Sequence, residues 1–360
     1  MKGKIEEILG RSPGLTGREI SKELGENKKT VNSFLNQHRD VFRQDDDYRW
    51  YNNSEVVIEF PAGWVTAEAY ESALAYHTDL FQNKRKIKFA FPERCSLLLE
   101  PMSRFLALVN QLDLNGVEVT IDLDSCKNTL SFLNRAGFFD LLSKDIQITP
   151  KRPGSSTAKI FKGNADSLVE LGSICPNSRN KELIMALHSS FVKKTNSDYD
   201  MAAFTVFSEF IGNVSEHSES ELEGFAALQI YSPPRMRSHI QTVISDSGLG
   251  VVPTLRSTLH KFYPTLHQTY PDTGTESDIG LVLEVFSKGR VTRHGKESGR
   301  GLGFESTRQQ ASKFDANLSI RLENFCVTLP YRNGALTEPI IQKSLTKMKG
   351  THICFDFFID

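Results

Sequence analysis

Three polar side chains recur at four-residue spacing in the stretch 204–218, which reads FTVFSEFIGNVSEHS: Glu209, Asn213 and His217. Residues four apart share one face of an α-helix. The opposite face is apolar and consists of Phe204, Phe207, Ile211 and Val214. An amide oxygen can coordinate Mg²⁺ while a nearby carboxylate orients or deprotonates an attacking hydroxyl or water. The polar face therefore predicts a magnesium-phosphate site, although a solvated helix surface has the same spacing.

A second motif, ISDSGLG at 244–250, follows the apolar run 239–245, which we predict to be a strand. Asp246 can accept a hydrogen bond from the exocyclic amine of an adenine base. Gly248 and Gly250 allow the backbone to approach the base closely and the following segment to hinge. An ordinary turn has the same composition, so this motif alone does not identify a nucleotide site.

A third motif is the glycine-rich run Gly299-Arg300-Gly301-Leu302-Gly303, which leads into a predicted helix. The backbone N–H groups of such a run form an anion site suited to a phosphate chain. The run does not fit a dinucleotide-binding fingerprint, because no apolar strand leads directly into Gly299. Each motif alone is common, and only their combination in one order predicts a nucleotide site.

The three motifs in this order resemble the GHKL superfamily of ATP-binding proteins, which includes gyrase, histidine kinases and MutL, over roughly residues 180–360. The resemblance implies a Bergerat-fold α/β sandwich that binds ATP and Mg²⁺. It implies that Glu209 is the general base and Asn213 the magnesium ligand. The ATP-binding residues that it implies are Asn213, His217, Asp246, Gly248, Gly250, Gly299, Arg300, Gly301, Leu302, Gly303 and Thr351.

The same resemblance makes 251–298 the ATP lid, a stretch without a strong strand pattern. Lys288 and Arg293 are its candidates for contact with the γ-phosphate, with a solvated basic loop as the alternative. A histidine kinase is not favoured, because His188 lacks the acidic residue directly after it and the downstream proline of the acceptor pattern.

Residues 1–52 are predicted to contain short helices followed by a hairpin with aspartates at its tip. Thr16 and Glu19 have the spacing of a capping box at the start of one helix. This order resembles a winged helix-turn-helix domain. Lys28 and Lys29 on the second helix suit a DNA groove, but acidic residues are almost as numerous as basic ones. DNA binding and protein docking therefore both stay open.

Residues 55–150 alternate between apolar strands and amphipathic helices, which predicts a small α/β sheet with parallel neighbours. The predicted strands are 56–60, 86–91 and 117–123, and the predicted helices are 66–80, 97–112 and 129–142. The pattern resembles STAS domains, the anti-sigma-antagonist fold. Glu100-Pro101 stands where such a domain carries its phosphate-accepting serine, with Ser96 and Ser103 nearby. The run KRPGSST at 151–157 is predicted to be a linker.

The composition limits the class of protein. The chain of 360 residues is 39% hydrophobic and 24% charged with a net charge of -1, which is typical of a soluble multidomain protein without a general affinity for nucleic acid. Five scattered cysteines without a Cys-x-x-Cys pair exclude a disulfide framework and a cysteine zinc cluster. No apolar run reaches the ~20 residues that span a bilayer, and the first ten residues do not resemble a secretory signal. We expect a cytoplasmic protein without a membrane partner.

The sequence thus predicts an α/β multidomain protein with a winged helix at 1–52, a STAS-like α/β sheet domain at 55–150 and a GHKL ATP-binding domain at 158–360. The expected function is that of an ATPase whose Mg²⁺-dependent ATP hydrolysis drives a regulatory switch. The alternatives are a serine/threonine protein kinase of the anti-sigma-factor type and an ATP-gated DNA-binding or adaptor protein with negligible turnover. A protein partner is expected at one of the first two modules, and a homodimer stays open.

Overall fold

The computed structural model of the chain describes residues 1–39, 41–52, 55–77, 80–81, 85–176, 178–195, 199–217, 220–234, 237–271, 274–288 and 315–359. Within these ranges, no helix combines the length and the apolar character that crossing a bilayer requires.

Residues 1–52 enclose an apolar core of their own. The elements are α1 (Lys2–Arg11), β1 (Leu15–Thr16), α2 (Gly17–Leu24), α3 (Lys28–Gln37), β2 (Phe42–Gln44) and β3 (Arg49–Asn52). The described strands form an antiparallel sheet in the order β1-β3-β2. The predicted capping box is present, since Glu19 accepts the Thr16 N–H at 2.7 Å and Thr16 accepts the Glu19 N–H at 3.4 Å. The core consists of Ile5, Leu9, Ile20, Val31, Leu35, Phe42 and Trp50.

The next segment is built on parallel strands, as the alternating pattern predicts. Its strands are β4 (Val56–Glu59), β5 (Gly63–Val65), β6 (Lys86–Ala90), β7 (Cys95–Leu97), β8 (Glu118–Asp122) and β9 (Gln147–Thr149). Its helices are α4 (Ala67–Leu74), α5 (Leu99–Leu114), α6 (Lys127–Ala136) and α7 (Phe138–Leu141). The described strands β4-β6-β8-β9 pair in parallel. Two predicted helices were too long: that at 66–80 ends at Leu74, and that at 129–142 breaks at Gly137, whose φ of 84° is left-handed.

The third segment begins after a short helix, α8 (Thr157–Ile160), and is built on a large antiparallel sheet. Its strands are β10 (Leu168–Ile174), β11 (Gly224–Tyr231), β12 (Ser238–Ser245), β13 (Ala316–Arg321), β14 (Cys326–Arg332), β15 (Ala335–Leu336), β16 (Ile340–Gln342) and β17 (His352–Ile359). Its helices are α9 (Lys181–Lys194), α10 (Asp200–His217), α11 (Val251–Phe262), α12 (Pro264–Thr269) and α13 (Thr275–Lys288). Among the described strands the order is β10-β11-β12-β17-β13-β14-β15, with β16 also paired to β14. The strand β17 thus lies between β12 and β13, far from both in sequence.

The stretch predicted to be an ATP lid is helical in its described part. The helices α11, α12 and α13 occupy most of 251–288, and α11 and α13 bury Leu255, Leu259 and Val282 in the same core as α10. The segment is helical rather than an irregular loop, because its apolar residues recur at helical spacing and pack against this core. The part of the predicted lid up to Lys288 is therefore a packed portion of the domain.

The helix α5 lies between the parallel sheet and the antiparallel sheet. It is buried on nearly its whole circumference, as expected of a helix enclosed on both sides. The residues of the antiparallel sheet and its loops that share a core with α5 are Leu171, Phe225, Ala227, Val243, Met348 and Cys354. The second and third segments therefore share one hydrophobic core across α5.

A buried ionic network crosses the same contact. Glu71 on α4 accepts from Arg104 of α5 at 2.8 Å and from Arg321 of β13 at 2.9 Å. Arg104 also pairs with Glu100 at 2.5 Å and donates to Ser319 at 3.0 Å. Burial alone would lower the pKa of Arg104, but Glu100 and Glu71 raise it above its ordinary value. The Arg104 guanidinium therefore stays charged inside the protein, and both arginines depend on the shared Glu71 carboxylate.

The predicted linker at 151–157 is attached to the second segment. The guanidinium of Arg152 donates to the backbone carbonyls of Phe139, Leu142, Ser143 and Ile146. The Ser155 carbonyl accepts from Asn134 at 3.1 Å. These contacts hold the run against α6 and α7, so the composition of a linker does not correspond to a free connection here.

Removing the shared carboxylate should destabilise the protein strongly. We expect Glu71→Ala to lower the free energy of unfolding by about 3–5 kcal/mol, because Arg321 loses its carboxylate partner and Arg104 keeps only Glu100. Glu68→Ala, on the exposed side of the same helix, should change it by less than about 0.5 kcal/mol. Urea denaturation followed by circular dichroism measures both variants. Equal effects would contradict the interpretation of Glu71 as the centre of the network.

Candidate functional site

Two loops that carry predicted site residues lie side by side at one edge of the antiparallel sheet. Ser245, the last residue of β12, is opposite His352, the first residue of β17. The Asp246 N–H donates to the Thr351 carbonyl at 3.0 Å, and the Thr351 N–H donates to Asp246 Oδ2 at 3.2 Å. We call 246–250 together with 349–351 the paired loops. Antiparallel pairing of the two strands thus brings together residues more than a hundred positions apart.

Further hydrogen bonds and a close backbone approach fix the conformation of the paired loops. Asp246 Oδ1 accepts the Gly248 N–H at 2.8 Å, and the Thr351 hydroxyl accepts the Val251 N–H at 2.9 Å, which caps α11. Gly350 has a φ of 94°, and a Cβ atom there would lie 2.0 Å from the Asp246 carbonyl oxygen. Position 350 therefore accepts only glycine without a shift of the backbone.

The Asp246 carboxylate is buried without a compensating cation. Burial raises the pKa of this carboxyl group from 3.8 to about 6, although the N–H groups of Gly248 and Thr351 act in the opposite direction. No charged partner among the described residues contributes to this shift. The carboxylate accepts the N–H groups of Gly248 and Thr351 and is also hydrogen-bonded by the Thr351 side chain, which leaves about one of its roughly four acceptor positions for another donor. An uncharged N–H or O–H donor on a ligand would supply what the carboxylate lacks.

A buried serine–histidine pair supports the loops from behind. Burial and the Arg321 guanidinium lower the pKa of His352 to about 3, so its ring is neutral. Nε2 lies 2.9 Å from the Lys349 carbonyl, which can only accept, so Nε2 carries the proton. Nδ1 therefore accepts from the Ser245 hydroxyl at 2.5 Å. Because both residues are almost fully buried, we assign them to support of the paired loops.

A residue of the second segment also reaches the paired loops. Gln111, on the last turn of α5, is 2% exposed. Its Oε1 accepts the Lys349 N–H at 2.8 Å, and its Nε2 donates to the Lys349 carbonyl at 3.0 Å. The same Nε2 donates to the Ser247 hydroxyl at 2.9 Å. Gln111 thus contacts both loops at once.

The helix predicted to carry the magnesium-phosphate face is present as α10, which packs against β12 and its neighbours. Phe207 and Ile211 are fully buried, whereas Phe204 is 43% exposed and does not belong to the apolar stripe as predicted. Glu209 is half-buried and Asn213 exposed. Burial, followed by the nearby Glu216 charge, raises the pKa of the Glu209 carboxyl group. This makes Glu209 a stronger base than an ordinary surface glutamate.

The remaining predicted residues are not all covered by the structure. The run Gly299-Arg300-Gly301-Leu302-Gly303 and the lid candidate Arg293 lie outside the described residues. His217 and Lys288 end α10 and α13, but their side chains also lie outside the description. The structure therefore brings together Asp246, Gly248, Gly250 and Thr351, with α10 packed nearby.

A cleft of about 600 Å³ opens beside the paired loops. Its walls include Gln111, Ser247, Gly248, Gly250, Arg256 and Gly350. Glu209, Asn213 and Asp246 are not among its described lining residues. Arg256 is held there by Asp278 at 2.6 Å.

Sequence reasoning missed Gln111 and the Ser245–His352 pair. A signal existed for Gln111: Arg104 and Gln111 are seven residues apart in a largely apolar helix, and residues seven apart lie on the same face. For His352 the sequence has no comparable signal, because its partner is brought near only by the pairing of β12 with β17.

Among the described residues, no group of three or more histidine, cysteine or acidic side chains could hold a metal ion by itself. A single amide such as Asn213 would therefore bind Mg²⁺ only together with ligands from a phosphate chain.

A scan against models of known protein families finds no match to this chain. A search among curated proteins finds no significant relative either.

The raised pKa of Asp246 predicts a pH-dependent stability. Because the pKa in the folded state exceeds that in the unfolded state, the folded state binds the proton more tightly between about pH 4 and pH 6. Relative to Asp246→Asn, which cannot titrate, the parent should lose about 3 kcal/mol of unfolding free energy as the pH rises through this window. The difference should be constant above about pH 7.

Urea denaturation of the parent and of Asp246→Asn at four pH values between 4 and 7 measures this difference. A difference that does not change with pH would show that the carboxyl group titrates normally.

Proposed function

We propose that residues 158–360 bind ATP with Mg²⁺ in the manner of a GHKL domain and that ATP hydrolysis there drives a regulatory switch. The observation that carries the proposal is the buried Asp246 carboxylate, held beside Thr351 and lacking a cation among the described residues. Its charge is compensated only by hydrogen bonds from Gly248 and Thr351, so a further donor on a ligand would stabilise it. The exocyclic amine of adenine is a donor of the right kind.

The residues present fit this ligand. Asp246 has capacity for one more donor and precedes the Ser247–Gly250 turn, which lines the cleft. Asn213 is exposed on α10 and can contribute an amide oxygen to Mg²⁺ held by the phosphates. When bound, Mg²⁺ neutralises charge on the phosphate chain. Glu209, with its raised pKa, is suited to take the proton of the attacking water.

The topology supports the finer division of the chain that we propose. Three helices and a sheet of order β1-β3-β2 support a winged helix at 1–52. The parallel strands β4-β6-β8-β9 support a STAS-like domain at 55–150. The antiparallel sheet covered by α9, α10, α11 and α13 supports a Bergerat-type domain. In this arrangement, α5 connects the ATP site to the STAS-like domain.

The start of α5 argues against a phosphate-accepting serine there. Ser103 is 2% exposed, and the Leu99 N–H is occupied by the Tyr231 hydroxyl at 2.8 Å. A kinase acting on a serine of this helix would have to displace it from between the sheets. We therefore prefer hydrolysis to phosphotransfer within the chain.

DNA is the second candidate partner, favoured by one observation. Lys28 and Lys29 stand exposed at the start of α3, the helix that a winged helix places in the major groove. At the hairpin tip, Asp45 is engaged with the Arg49 N–H at 2.8 Å and the Tyr51 hydroxyl at 2.9 Å. Part of the acidic tip is thus used to shape the turn.

Neutralising the carboxylate proposed to read adenine should weaken ATP binding strongly. We expect Asp246→Asn to weaken ATP binding by about 100-fold, because the charged acceptor is lost and an amide N–H can face the adenine amine. Asp122→Asn is the matched control, since Asp122 also accepts a backbone N–H (from Asp124, at 3.1 Å) but lies in the parallel sheet. Calorimetric titration measures both. Unchanged affinity in a folded Asp246→Asn would refute the proposed role of this residue.

Removing the proposed base should separate binding from hydrolysis. Glu209→Gln should bind ATP as the parent does and release phosphate about 100-fold more slowly, the usual size of a general-base contribution. Glu182→Gln, on the exposed start of α9, serves as the control with parental rates. Radiolabel from γ-labelled ATP should appear as free phosphate in the parent. Its transfer to protein would instead support the kinase alternative.

A further inference from the structure

We propose that Gln111 is a positioning residue for the ATP site and that it couples ATP binding to the packing of α5. This inference rests on the proposed function, since the site that Gln111 positions is the adenine-reading pair of loops. It adds a residue from the second segment to a site that the sequence motifs confine to the third.

The first argument is that the side-chain amide of Gln111 forms hydrogen bonds to both of the paired loops. Oε1 and Nε2 of Gln111 bind both backbone groups of Lys349, and Nε2 also binds Ser247. Lys349 precedes Thr351 by two residues, and Ser247 directly follows Asp246. The side chain therefore fixes the separation of the two loops between which the Asp246–Thr351 hydrogen bonds form.

The second argument is burial. Gln111 is 2% exposed in the wall of the cleft, so replacement of its amide by an apolar side chain leaves the Lys349 N–H and carbonyl without this partner. The two loops then lose the hydrogen bonds that hold them together at this point and can shift relative to each other. Any such movement changes the position of Asp246, because Asp246 and Thr351 are joined by two hydrogen bonds across the paired loops.

The third argument is that α5 is fixed along its length to the same sheet. Its first turn donates to Tyr231 and Gln241 at 2.8 and 3.4 Å, and Arg104 donates to Ser319 at 3.0 Å. If ligand binding shifts the paired loops, α5 therefore either resists the shift or moves with the loops. The parallel sheet, which packs on α5, resists or moves with it. Coupling of this kind is reciprocal. If the packing of α5 changes the affinity for ATP, bound ATP changes the stability of that packing by the same free energy.

The test compares two neighbouring amides on α5. Gln111→Met removes the hydrogen bonds of the side-chain amide and keeps a side chain of similar volume. Asn110→Leu is the matched control, because Asn110 binds Leu141 and Ser143 at 2.9 Å each, within the second segment. Ser247→Ala removes only one of the three hydrogen bonds and leaves the core intact, so it provides a second variant if Gln111→Met does not fold.

Calorimetric titration of the folded proteins with ATP and with GTP gives the decisive measurement. We expect Gln111→Met to bind ATP about tenfold more weakly and to discriminate less between ATP and GTP, because Asp246 is no longer held toward the adenine amine. Ser247→Ala should show a smaller loss in the same direction. Asn110→Leu should keep the parental affinity and discrimination even if its melting temperature falls.

Hydrogen exchange provides the reciprocal readout. ATP should slow exchange of the amides at 108–115 in the parent and in Asn110→Leu, but not in Gln111→Met. If the parent binds ATP and Asp246→Asn does not, while Gln111→Met and Ser247→Ala match the parent in affinity and discrimination, the positioning role is refuted and the proposed function stands. If the parent does not bind ATP, the proposed function fails and this inference fails with it.

Discussion

The ionic contact of Glu71 with Arg104 and Arg321 is the constraint on which the relation of the two sheets depends. Two buried guanidinium groups share the Glu71 carboxylate, Arg104 also pairs with Glu100, and an unpaired guanidinium there would carry a large desolvation penalty. Because the three residues belong to α4, α5 and β13, the contact determines how the parallel sheet sits on the antiparallel one. Most of the buried surface between the two sheets comes from the apolar residues around α5, and the ionic contact sets the orientation of the sheets.

The same helix determines the conformation of the candidate site. At its C-terminal end, Gln111 binds both paired loops, and at its start the first backbone N–H groups donate to Tyr231 and Gln241. A helix held in this way at both ends can transmit strain between a ligand and a distant module. In the proposed switch, ATP acts on the second segment through this helix rather than through a hinge.

Burial of the Asp246 carboxylate lowers the stability of the folded protein. A carboxylate that burial drives toward protonation, without a cation among the described residues, conflicts with the general tendency to pair buried charges. Conflicts of this kind concentrate at binding sites, where the ligand resolves them. The neighbouring Gly350 backbone and the Ser245–His352 pair nonetheless hold the carboxylate in place. The unfavourable burial is therefore a property of the folded state itself.

The amino-acid sequence by itself determined the local elements and the candidate motifs. Hydrophobic periodicity predicts α10 and the parallel strands, and the spacing of Thr16 and Glu19 predicts the cap of α2, because these features depend on residues within a few positions of one another. Helix ends were less well predicted, as at Leu74 and Gly137, since tertiary packing decides where a helix stops. Only the tertiary structure placed Thr351 against Asp246, enclosed α5 between two sheets and brought Gln111 to the paired loops. These contacts join residues a hundred or more positions apart, and the pairing of β12 with β17 that creates them depends on the packing of the whole chain.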